Sequence, residues 1–439
     1  YYTTYFGRNS HNLGLLADDI KGPAQARHLT DFFAWTAWGA AADRPGHSYS
    51  YTNNWPADPT VANRPTADMV VWSVLSLIVL IGGTGVMFAI YGRWSKNIGW
   101  HESETPSLSF IPPSQVGLTK SQRATSWFFF VIAVLFLFQT LVGAAAEHYR
   151  ADISSFFGFD LAAWLPYNLA RTWHVQLALF WTAAAFLAGG IFLAPFVSGK
   201  EPRRQHVLTY VLLGAVAFVV FGSLTSEALS VYGVSWAKGP VFGQQWEYID
   251  LSKMFQLLLT LGMFLWVFII WRAMHTRMRA ESFGNMPWVF FFSALSIPMF
   301  YAVGLLAGTH TQLSVAEFWR FWVVHLWVED FLELFTTVMV AYIFVMLGVV
   351  REKVALGVIY MDVILYSAGG VLGTMHHLYF SGTPSAHMAI GAFFSAAEVI
   401  PLTFLTVEAW GFMQLGARRE SRSSTPFPHL SLIHISEPT

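Results

Sequence analysis

Cysteine is absent from all 439 residues. Its absence excludes disulfides, thiolate metal sites, iron–sulfur clusters and covalently attached c-type haem. Charge is scarce as well: only 12% of residues are Asp, Glu, Lys or Arg, against roughly a quarter in a typical soluble domain. That is too little to solvate an ordinary cytosolic enzyme or a disordered scaffold. Nor does one sign dominate, since 25 Lys and Arg face 26 Asp and Glu. The chain thus sets up no field for a polyanion, and nucleic-acid binding is excluded. There is also no repeat of fixed period.

What is present is apolar: 55% of residues are hydrophobic and 17% aromatic. A helical span needs about 20 mostly apolar residues. Nine stretches qualify: Met69–Tyr91, Trp127–Ala146, Thr172–Phe196, Val207–Leu224, Met254–Trp271, Trp288–Ala307, Phe321–Val350, Val354–Phe380 and His387–Leu415. The expected fold is an all-α polytopic membrane bundle. An odd count puts the ends of the chain on opposite sides. Arg93, Lys96, Lys120, Arg123, Lys200, Arg203, Arg204, Arg272, Arg277, Arg279, Arg351, Lys353, Arg418, Arg419 and Arg422 all follow odd-numbered spans. Only Arg150, Arg171, Lys238, Lys253 and Arg320 follow even-numbered ones. The positive-inside rule assigns the richer set to the cytoplasm and the segment before Met69 to the outside.

Three regions follow. Residues 1–66 are polar yet aromatic and read as the remnant of an outer-face, periplasmic extension. Residues 67–418 form the transmembrane bundle. Residues 419–439 form a tail rich in Ser, Thr and Pro, whose final LSLIHISEPT does not match what precedes it and resembles translated adaptor sequence. The chain starts at Tyr1 without a signal peptide, so a longer N-terminus is expected.

With no thiols, the 15 histidines are the main candidates for binding a transition metal. The topology puts His174, at the start of span three, His325, early in span seven, and His376 with His377, at the end of span eight, all in the outer part of the bilayer. Ionisable groups inside spans are costly and functional by default. A single such histidine can equally be a core residue bonded to a backbone carbonyl; four on three helices at one depth favour a ligand set. In HLWVEDFLEL, His325, Glu329 and Glu333 stand at i, i+4 and i+8, on one helix face with a rise of ~6 Å per step. In GTMHHLY the rings of His376 and His377 sit ~100° apart on an ideal helix, and Gly369, Gly370 and Gly373 permit the distortion that lets them converge. Three imidazoles with one carboxylate and no sulfur favour non-haem iron over copper. His174, between Trp173 and Trp181, suits axial ligation of a haem. Glu398, in FFSAAEVIPLTF, lies ~16 Å below the outer end of span nine. It is either a proton relay, a neutral hydrogen-bond donor, or a partner for backbone left open by Pro401.

HLWVE, GTMHH and AAEVIPL together resemble the large subunit of respiratory nitric oxide reductases, in the haem–copper oxidase superfamily. DFFAWTAWGAAADRPGHSYSYTNNWP is similar to the extension fused to that subunit in the quinol-dependent type, and the resemblance covers roughly Phe32 to Arg418. It implies that His325, Glu329, His376 and His377 bind non-haem iron, that Glu333 and Glu398 serve proton delivery, and that His174 is an axial ligand of low-spin haem b. It also implies a quinol pocket at His148, Asp152 and Phe156, and a calcium ligand at Glu247 or Asp250. Such proteins carry a further helix with His-x-His, which supplies the second low-spin ligand and the proximal ligand of high-spin haem b. No such motif follows Leu415, so the chain is expected to be truncated at both ends and inactive as it stands.

The implied reaction joins two NO with two electrons and two protons to give N2O and water, in a bacterial inner membrane, with membrane lipid around the bundle. A homodimer is compatible with the resemblance. An oxygen reductase of the same superfamily would bind copper with histidines and a nearby cross-linked tyrosine, and Glu329, four residues after His325, argues against it. A nitric oxide dismutase would alter the iron ligands. A proton-coupled permease would need no haem.

Overall fold

The computed structural model describes residues 22–52, 54, 64, scattered positions between 67 and 89, and residues 117–151, 156–239, 241–243, 251–308, 310–347, 349–373 and 385–419. Every named element among them is helical. In chain order these are α1 (Gly22–Ala41), α2 (Lys120–Ala151), α3 (Tyr167–Ser198), α4 (Gln205–Val231), α5 (Lys253–Ala280), α6 (Met286–Val303), α7 (Leu313–Phe321), two π-wound segments (Trp322–Trp327 and Asp330–Phe335), α8 (Thr336–Met346), α9 (Glu352–Gly373), α10 (Ser385–Ala397) and α11 (Val399–Arg419). Six helical stretches among the described residues are long and apolar enough to cross a membrane: Lys120–Tyr149, Tyr167–Ser198, Gln205–Val231, Lys253–Ala280, Met286–Leu306 and Ala389–Gly411. The chain is a multi-pass membrane protein.

Each of these six contains or overlaps an expected span; the count of nine is not reached. Most of Met69–Tyr91 lies outside the described residues, although Val70, Val71, Val74, Leu75, Ile78, Ile81 and Val86 are helical and exposed. The expected single helix Phe321–Val350 is instead divided into the end of α7, the two π segments and α8. Span nine was expected to run unbroken from His387 to Leu415, but it breaks at Glu398, between α10 and α11. Pro401 accounts for this, because it has no N–H to donate to the carbonyl of Ala397 and its ring crowds that carbonyl. α9 ends its described part at Gly373, short of Phe380.

The chain divides into two compact units. The first takes residues 1–51, 119–280 and 294–331. In it α2, α3, α4 and α5 pack against one another through a core that includes Phe128, Leu177, Ile191, Leu212 and Trp266. Hydrocarbon offers no partner for a polar group, so polar side chains here reach backbone carbonyls of neighbouring helices. Gln122 of α2 donates to Phe192 O of α3 at 2.8 Å. Trp173 of α3 donates to Leu224 O of α4 at 3.1 Å. Gln205 of α4 donates to Ile269 O of α5 at 2.6 Å, and Trp266 of α5 returns to Leu187 O of α3 at 3.0 Å. At the head of α2, Glu201 Oε2 accepts from Ser121 N at 3.0 Å and from its hydroxyl at 2.7 Å, a helix cap supplied from 80 residues away.

The second unit takes residues 52–118, 281–293 and 332–439. Here α9 packs against α8, α10 and α11. Phe290 meets Phe335 and Tyr342 edge-on at ring distances of 5.4 Å each. Arg351 pairs with Glu408 of α11 at 3.3 Å, both largely shielded from solvent.

Replacing Glu201 by Ala removes the acceptor for two donors of α2. It is expected to cost about 1 kcal/mol, read as a lower midpoint of thermal unfolding in detergent, with Glu201→Gln recovering part of the loss.

Candidate functional site

The π-wound stretch holds the first candidate centre. π-winding is rare, occurs mainly as single-turn bulges in α-helices, and is frequent at functional sites. The expectation of a regular α-helix through His325, Glu329 and Glu333 is therefore corrected: the first segment carries His325 and the second carries Glu333, with Glu329 between them. His325 and Glu329 nevertheless face each other, with His325 Nδ1 lying 2.5 Å from Glu329 Oε2. The histidine is 1% exposed and Glu329 only partly so. An imidazole nitrogen and a carboxylate oxygen brought together in a low-dielectric helix, without sulfur, form the donor set that suits iron or zinc better than copper(I). The pair fits the metal expected from the sequence as far as one imidazole and one carboxylate can.

His376 and His377 lie outside the described residues, as do Asp152, Glu247 and Asp250. In the second unit Glu333 and Glu398 approach each other, with carboxylate oxygens within 4.8 Å. Glu398 occupies the break itself: its N–H reaches back to Ser395 O at 3.4 Å, and its side chain is buried. The helix break thus presents a carboxylate at a point where the regular backbone pattern is interrupted.

His174 sits in α3 against α2. Its Nδ1 lies 3.0 Å from the Gln139 carbonyl oxygen, and the Gln139 amide lies 3.3 Å from its Nε2. A ligating histidine usually donates its second ring N–H to a carbonyl or carboxylate, which fixes the ring and its tautomer. The Gln139 amide nitrogen also lies 3.0 Å from Nδ1, so Gln139 meets both ring nitrogens. The ring also fills a notch over Gly143, where an added Cβ would collide with two ring atoms. The contact of Nδ1 with a backbone carbonyl is the pattern that a ligating histidine shows.

His148, near the end of α2, packs against Phe156 at 4.6 Å and Phe157 at 4.7 Å between ring centroids. Phe156 is not reached by helical spacing from His148, because it lies in a bridge with Phe159 and not in α2. A tight turn returns the ring instead. Phe156 and Phe159 exchange backbone hydrogen bonds at 2.8 and 3.0 Å, with Phe157 at φ 51° and Gly158 at φ 85° between them. Two successive positive φ values mark the two-residue type I′ turn.

Several residues here escaped sequence reasoning. Gln139 and Gly143 hold His174, and only the small-residue run GAAA hinted at a close approach. Asp330, adjacent to Glu329, is wholly buried and accepts from the Ser296 hydroxyl at 3.0 Å. Glu227 is buried in α4 and accepts from Gln176 of α3. Their roles depend on contacts between helices far apart in sequence, which no local spacing marks.

Comparison with known proteins adds identity to this geometry. The family described as cytochrome C and quinol oxidase polypeptide I matches residues 123–430. The cytochrome c-like domain of nitric oxide reductase, in its NorB form, matches residues 1–57. The chain is also similar to the nitric oxide reductase subunit designated B in Stutzerimonas stutzeri, at 25% identity over 305 residues, covering 68% of this chain and 61% of that protein. It therefore spans less than two thirds of that relative's length.

Gly143→Ala is expected to push a methyl group into the His174 ring, costing about 1–3 kcal/mol. Gly214→Ala, with open space around its Cβ, is expected to stay within about 0.5 kcal/mol. Thermal unfolding of the two variants side by side checks the contrast.

Proposed function

The chain belongs to the cytochrome c and quinol oxidase polypeptide I family, and on that footing we propose that it is the catalytic subunit of a quinol-dependent nitric oxide reductase of a bacterial inner membrane. The reaction takes two NO, two electrons and two protons to N2O and water. The observation that carries this reading is the contact of His325 with Glu329, a carboxylate one helical turn from a buried imidazole. A copper-binding oxygen reductase has no use for an acid there. The match of residues 1–57 to a nitric oxide reductase domain supports the same reading.

In this proposal His325, Glu329, His376 and His377 would hold a non-haem iron and His174 a low-spin haem b, while high-spin haem b would take its proximal ligand from outside these 439 residues; bound, these groups would supply the redox chemistry of the reaction. The protein's own residues do the rest. Glu329 lowers the net charge of the iron site and fixes the His325 ring. Glu333 and Glu398, with oxygens within 4.8 Å, are near enough for one bridging water to carry a proton between them. Gln139 holds the His174 ring in the orientation an axial ligand needs.

At the end of α2, His148 accepts a quinol hydroxyl proton with help from Asp152, while Phe156 packs on the quinol ring. Glu247 or Asp250 binds calcium. Residues 1–66 are the outer-face extension, 67–418 the catalytic bundle and 419–439 a tail, with the N-terminal segment on the periplasmic side. A homodimer is compatible with this arrangement.

Membranes carrying the full-length protein are expected, with quinol and without oxygen, to consume NO and release one N2O for every two NO. Glu329→Gln is expected to slow this by about tenfold or more while the haem absorbance is retained. Oxygen consumption with no NO turnover, release of N2 in place of N2O, or an unchanged rate in Glu329→Gln would overturn the proposal.

A further inference from the structure

One face of α5 carries a stripe that stays exposed among the described residues. Leu257, Leu261, Phe264, Phe268 and Trp271 are all exposed and spaced by four, three, four and three residues, so they share one side of the helix. In a multi-pass protein such a side faces lipid. The stripe changes character as it runs to the end of α5. Phe268 and Trp271 stack at 5.9 Å, and Trp271 and His275 stack at 5.1 Å. The Arg272 guanidinium lies 5.9 Å over the Phe268 ring, and its Nη2 donates to Arg203 O at 3.0 Å. Arg272 thereby ties the end of α5 to the loop between α3 and α4, where Arg203 and Arg204 are exposed.

Lys120, Arg123, Lys200, Arg277 and Arg279 belong to the same end of the four helices and are exposed. Glu201, which accepts two hydrogen bonds from Ser121, and Glu281 are set against eight Lys and Arg there. The result is an aromatic strip, long enough for acyl chains, that ends in a group of guanidinium ions.

We propose that this strip is a binding site for an anionic phospholipid, with acyl chains along Leu261, Phe264 and Phe268, and its phosphate held by Arg203, Arg204 and Arg272. Guanidinium forks match phosphate oxygens, and stacking on Phe268 holds Arg272 in place before the lipid arrives. A zwitterionic headgroup offers the same phosphate with a cation beside it, so net charge decides the preference. The site does not depend on the reaction proposed above.

Brominated phosphatidylglycerol and brominated phosphatidylcholine, titrated separately into the detergent-solubilised protein, would quench nearby tryptophan fluorescence. Trp271→Phe identifies the part of the signal that belongs to this site. That part is expected to appear at about tenfold lower phosphatidylglycerol than phosphatidylcholine. The preference should weaken with added salt, be lost in Arg203→Gln with Arg272→Gln, and resist inorganic phosphate, which lacks the acyl chains. Arg204→Gln, at an exposed residue, is expected to reduce the preference without touching the Arg272 contact, and guards against a double variant that fails to fold. Equal quenching by both lipids, a preference kept in both variants, or full displacement by inorganic phosphate would overturn the assignment.

Discussion

Inside hydrocarbon a polar side chain has only protein to bond with, and that single constraint organises this molecule. Gln122, Trp173, Gln205 and Trp266 each cross from one helix to a carbonyl of another. Such bonds are individually worth about 0.6 kcal/mol, up to about 2. Their effect is on register more than on stability: each fixes the depth and rotation of one helix against its neighbour, where apolar packing alone would allow sliding. The same constraint acts on His174, whose ring has to be oriented by Gln139 and accommodated by Gly143. A chain with fewer such crossings would have less ability to hold an imidazole at one angle.

Where function requires acids in a span, the helices lose their regularity. The two π-wound segments carry His325 and Glu333, and the interruption at Glu398 lies just before Pro401. Regular α-helix satisfies all of its own backbone and leaves side chains as the only polar contacts. A π bulge or a proline break widens the spacing and frees carbonyls that polar side chains can meet. At Glu333 and Glu398 a carboxylate and irregular backbone thus occur together, whereas Glu227 is held within regular α4 by Gln176.

Much of this was legible in the sequence. Apolar runs marked six of the spans that the fold contains, and the period of four in HLWVEDFLEL brought His325 and Glu329 into contact. The π-winding was not legible, because periodicity over so short a stretch cannot distinguish it from an α-helix. The turn that returns Phe156 to His148 was hidden too: a non-glycine residue at positive φ, here Phe157, is rare enough that no reading of FFGF would choose it first. Gln139 and Gly143 went unnoticed since their role depends on where α3 lies against α2, which is a matter of packing. The family resemblance rested on HLWVE, GTMHH and AAEVIPL, and the family match over residues 123–430 agrees with it.

The central claim is that His325 and Glu329 are metal ligands and not an internal ion pair. Total iron per chain, less the iron accounted for by haem absorbance, measures this directly in the purified protein. One non-haem iron in the wild type, lost in His325→Ala with the haem bands unchanged, is the predicted result. Copper in its place, or a non-haem iron content that His325→Ala leaves intact, would contradict it.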